Sequence, residues 1–60
     1  MSIRLVFIHG NDVLVPGANA MRPMLNPDFS VSNEFVETLD DVGNRLALAP
    51  VMNLRCALKE

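Results

Sequence analysis

The sequence predicts a small α+β domain. Three observations carry that expectation. The opening run IRLVFI, residues 3–8, is β-branched and aromatic. Phe35, Val36, Leu39, Val42 and Leu46 follow the i, i+1, i+4, i+7, i+11 spacing of a half-buried helix. In the tail, Met52, Leu54, Cys56 and Leu58 alternate with Asn53, Arg55, Ala57 and Lys59, a period of two. Sixty residues hold one domain at most, so 1–60 reads as a single unit.

The first strand covers residues 3–8, with Ile3, Leu5 and Phe7 on one face. Gly10-Asn11-Asp12 is turn chemistry, because all three types tolerate tight turns and positive φ. Val13-Leu14-Val15 is a second short strand, ended by Pro16-Gly17. Together they predict an N-terminal β-hairpin with His9 to Asp12 at its tip.

Residues 16–30, PGANAMRPMLNPDFS, hold three of the four prolines, Pro16, Pro23 and Pro27. Each removes a backbone donor and pushes its predecessor toward extended geometry. The expectation is a long irregular Pro/Met loop, and a loop of that length inside a small domain is generally functional or disordered. This one carries Met21, Met24, Leu25 and Phe29, whereas a flexible linker is polar.

A single covering helix is predicted over residues 32–49. Ser32 is placed to cap it, and Glu34 and Glu37 suit the positive end of the helix dipole. Gly43-Asn44 can end it as a C-cap pair, but the Leu46 register and the helix-forming Leu and Ala favour continuation to Pro50. The tail, 51–58, is read as a C-terminal strand that completes the sheet, with a C-terminal helix as the alternative.

Composition narrows the function. Half the residues are hydrophobic, too many for a disordered chain. A chain of this size buries only about 60 % of its unfolded surface, so its core is marginal and a staple is expected. Cys56 is the only cysteine, which excludes an intrachain disulfide and fits a reducing compartment. One Cys and one His do not make a structural zinc site, so no metal and no cofactor are expected. Oligomerisation or docking on a larger partner remains. The net charge is −2, and the five basic residues are scattered singly, so nucleic acid is not an expected partner. Leu5 to Ile8 is far shorter than the ~20 residues of a spanning helix, so no membrane partner is expected and the cytoplasm, or the interior of a virion or other large assembly, is the expected location.

Catalytic motifs are sparse. After an apolar strand, His9-Gly10 resembles the oxyanion-loop opening of α/β-hydrolases, which implies a serine nucleophile on a G-x-S-x-G elbow. The chain has neither that elbow nor a second histidine. Adjacent Asp40 and Asp41 point about 100° apart on a helix and do not converge. Cys56, on the apolar side of its strand, is expected to be buried and inert. No phosphate-cradling glycine loop occurs.

The sequence therefore predicts a non-enzymatic interaction or structural protein. It is expected to be a homo-oligomer or an accessory subunit of a larger assembly, in the manner of small phage-encoded or bacterial accessory proteins. Its expected contact residues are Met21, Arg22, Met24, Leu25 and Phe29. Methionine adapts to irregular surfaces, and arginine is enriched at interfaces. Two alternatives stay open: an enzyme site assembled across subunits around His9, Asp12 and Cys56, and a nucleic-acid-binding module using Arg22, Arg45 and Arg55. Nothing points to a small-molecule ligand.

Overall fold

The computed structural model describes residues 1–60 and is built almost wholly of strands. In order they are β1 (Ser2–Phe7), β2 (Val13–Pro16), β3 (Ala20–Leu25), β4 (Val31–Leu39), β5 (Arg45–Pro50) and β6 (Leu54–Lys59), with one 3₁₀ turn, Val51–Asn53, between the last two. They form two three-stranded antiparallel sheets, β2-β1-β6 and β3-β4-β5. The chain makes the β1–β2 hairpin, leaves to build β3-β4-β5 as a meander, and returns to lay β6 along the other side of β1. The molecule measures 32 × 28 × 12 Å. No helix is long and apolar enough to cross a membrane.

Alternation on β1 sets the core. Ile3 and Leu5 are buried, and Phe7 packs on the same cluster. Val15 joins from β2, Ala49 from β5, and Ala18 from the link between the sheets, with Met21, Val36, Ala47 and Leu54 against them. Both sheets thus contribute side chains to one core. Nine residues are buried in all, which is little for a chain half of whose residues are hydrophobic.

The α+β expectation is overturned, because no α-helix forms. Residues 32–49 are β4, a tight turn and β5. Asp40 makes that turn: its Oδ1 accepts hydrogen bonds from the Val42 and Asn44 amides at 3.0 and 2.8 Å, and Gly43 takes φ +91°. Gly43-Asn44, read above as a possible helix end, is therefore part of a hairpin turn. The β-branched residues of β4 (Val31, Val36 and Thr38) favour a pleated surface, and cross-strand packing outweighs the helical spacing. Ser32 does what a cap does: its Oγ accepts from the amides of Glu34 and Phe35 at 3.1 and 3.4 Å, but inside a strand.

The irregular loop 16–30 is likewise corrected, since Ala20–Leu25 within it is β3. Pro23 is tolerated there because β3 is an edge strand. In the tail, the period of two is broken by a bulge at Arg55, where the register passes from Val6↔Cys56 to Phe7↔Leu54. Leu54 turns to the core, and Cys56 is exposed rather than buried.

Candidate functional site

The far end of the β3–β4 hairpin is the most unusual part of the surface. Its loop, Asn26-Pro27-Asp28-Phe29-Ser30, is closed by its own hydrogen bonds. The Asn26 amide donates to the Ser30 carbonyl at 2.8 Å, and the Phe29 amide to the Asn26 carbonyl at 2.9 Å. Asn26 Nδ2 donates to Ser30 Oγ at 3.0 Å, while the Ser30 amide and hydroxyl both donate to Asp28 Oδ1, at 3.0 and 2.6 Å. The Ser30 hydroxyl and amide hold the Asp28 carboxyl below its usual range.

This is a turn followed by one residue in the left-handed region, a position that ordinarily takes glycine. Here the residue is Phe29, with φ +67°, the one non-glycine residue of the chain with positive φ. Phe29 is 83 % exposed. Left-handed backbone costs an L-residue roughly 1–2 kcal/mol, and a bulky side chain at positive φ is a true outlier.

Below the tip, Leu25 and Val31 face each other across the strands, both exposed. The register then jumps: between Pro23↔Val36 and Leu25↔Val31, β4 inserts residues 32–35 where β3 inserts only Met24. Ser32 Oγ holds this wide bulge together. It opens an indentation of about 320 Å³, with Met24, Val31 and Phe35 as apolar walls and Asn26, Asn33 and Glu34 among its polar lining.

Of the five contact residues expected from sequence, Met24, Leu25 and Phe29 lie at this end. The other two face elsewhere. Met21 packs on the core. Arg22 lies on the opposite side of its sheet, where its Nε meets Glu37 Oε1 at 2.6 Å, and Arg45 Nε meets Oε2 of the same carboxylate at 2.8 Å. Glu37 is almost fully covered, with 4 % of its side chain exposed, and the two guanidinium groups hold its carboxyl below the usual glutamate range. Sequence reading missed Val31 and Phe35. The N-P-D turn chemistry between the apolar residues Leu25 and Val31 was the signal that could have found Val31.

The residues of the enzymatic alternative lie on the β1–β2 loop and on β6. His9 and Asp12 lie in the exposed β1–β2 loop. Cys56 stands opposite Val6 on β6, and its thiol is exposed. His9 is tied to Asn53 through its backbone: its amide donates to Asn53 Oδ1 and its carbonyl accepts from Asn53 Nδ2, both at 3.0 Å. No cluster of three or more His, Cys, Asp or Glu side chains forms a metal-binding set.

Compared with protein families, with characterised proteins and with solved structures, the chain matches none.

Proposed function

We propose that the chain is a non-enzymatic interaction protein that docks on a protein partner through the end of its β3–β4 hairpin, with Phe29 as the anchor. The supporting observation is Phe29 itself, held at φ +67° and 83 % exposed. In the isolated chain both features are costs. Glycine at this position removes the backbone penalty, and an exposed ring forgoes roughly 1.5–3 kcal/mol of burial. A partner pocket recovers the second cost. The hydrogen-bonded loop fixes in advance the backbone that carries the ring, so less ordering entropy is lost on binding. Buried aromatic anchors are the side chains that dominate binding energy at interfaces. Leu25, Val31 and the Met24–Phe35 indentation supply apolar surface around the anchor.

The reading is tested with a photo-crosslinking benzophenone side chain in place of Phe29, in cells of the native source. The expected result is a discrete protein adduct, with none from the same group in place of Val42, another highly exposed residue, on the Asp40 turn. No adduct from position 29, or the same adducts from both positions, overturns it.

A further inference from the structure

The edge of β6 points to a second contact surface, independent of the hairpin tip. A sheet edge is a row of unspent backbone donors and acceptors, and natural proteins blunt such edges. Four edges exist here, and three carry proline: β2 has Pro16, β3 has Pro23 and β5 has Pro50. β6 has none. The Ser2 and Glu60 amides each donate to the other's carbonyl, at 3.0 and 2.8 Å. By antiparallel alternation, Leu58 and Cys56 also direct their backbone groups to β1, and Ala57 and Lys59 direct theirs outward.

Charge identifies what fits. Arg4 is paired with Glu60, and Arg22 and Arg45 share Glu37. The two cations left without a carboxylate are Arg55 and Lys59, which flank Ala57 on β6. The bulge at Arg55 re-aims that side chain locally. A second copy of β6 brings the same two cations, and like charges across a strand pair are destabilising. We infer that the β6 edge accepts an extended acidic segment of another protein as an added strand, with main-chain bonds at Ala57 and Lys59 and carboxylates at Arg55 and Lys59. Strand addition of this kind takes affinity from the main chain and selectivity from side chains.

The test uses the whole chain, isotope-labelled, with two short synthetic peptides: alternating threonine and glutamate, and alternating threonine and lysine. The glutamate peptide is expected to shift and protect the Ala57 and Lys59 amides, and its binding to weaken as salt rises from about 0.05 to 0.5 M. Ala57→Pro removes an outward N–H and no bond to β1, so it is expected to keep the circular dichroism of the fold and weaken binding at least roughly tenfold. The double variant Arg55→Glu, Lys59→Glu is expected to exchange the preference for the lysine peptide, which keeps the test valid if the proline variant misfolds. Phe29→Gly is expected to leave binding unchanged. No amide shift at millimolar peptide, equal binding by a folded Ala57→Pro chain, or sedimentation showing a dimer of the parent chain that Ala57→Pro dissociates overturns the inference.

Discussion

Asn53 and His9 pair as two strand residues do, although one partner in each bond is a side chain. The Asn53 carboxamide accepts from the His9 amide and donates to its carbonyl, and the Asn53 carbonyl accepts from the Ile8 amide at 2.7 Å. The side chain thereby extends the β1–β6 ladder past the end of β1 and fixes the entry to the β1–β2 loop. Asn53→Ala removes two hydrogen bonds, worth roughly 1 kcal/mol each at most sites. The expected outcome is a loss of about 1–2 kcal/mol on chemical denaturation and faster hydrogen exchange at the His9 amide. Unchanged exchange at His9 contradicts this role. Asn53→Asp keeps the acceptor but loses the donor, and should fall between.

Glu37 gives the fold an acid-sensitive point. Its carboxyl is held low first by the hydrogen bond from Arg22, then by that from Arg45. A carboxyl whose folded value lies below its unfolded one contributes stability above the ordinary value of 4.5, and that contribution is lost as pH falls through the folded value. Asp28, Asp40 and Glu60 are shifted in the same direction by Ser30, Asn44 and Arg4. Stability is therefore expected to fall below pH 4.5. Glu37→Gln should destabilise the chain at neutral pH and flatten, without abolishing, the acid loss. Urea melts of both chains at neutral and acidic pH check this, and an acid loss of the same size in both sinks it.

The core has little redundancy. Leu5 is 2 % exposed on the central strand of its sheet, and it packs in a cluster with only four other buried residues. Leu5→Ala removes transfer energy and leaves a cavity, at a cost of roughly 2–5 kcal/mol. Small domains have about that much stability to lose. The expected outcome is a chain without a cooperative thermal transition near room temperature. A sharp transition with only a slightly lowered midpoint shows instead that the two sheets hold together without this side chain.

Some of this architecture is legible in the sequence, and particular residues show where legibility ends. Alternation places Ile3, Leu5 and Phe7 on one face because β1 is flanked by strands and buried on one side. Positions 35–46 mislead because Phe35, Val36, Leu39, Val42 and Leu46 satisfy helical spacing by coincidence. In the structure Val36 faces the core, Phe35 lines the indentation, and Val42 is exposed on the turn. Ser32 is the more instructive case. Its local hydrogen bonds are those of an N-cap, yet they fold a strand bulge, so the chemistry is readable and its consequence is not. The tip residues Met24, Leu25 and Phe29 stand out by hydrophobicity in a proline-rich segment. Arg22 does not separate from them in sequence, because its partner Glu37 lies on another strand.

Phe29 and Gly43 occupy the same left-handed region, at φ +67° and +91°, on turns at opposite ends of β4, and they predict opposite responses. Gly43 has open space around a would-be Cβ, so Gly43→Ala tests the backbone alone. It is expected to destabilise by about 1 kcal/mol, since an L-residue there pays the left-handed penalty. At the other turn, Phe29→Gly removes that same penalty. Its ring makes no part of the core. Glycine also gains unfolded-state entropy, which offsets some of the relief. The net expectation is a chain as stable as the parent or up to about 1 kcal/mol more stable, measured by urea denaturation. A loss above that size shows that the ring supports the hairpin, and the anchor reading then lacks its physical basis.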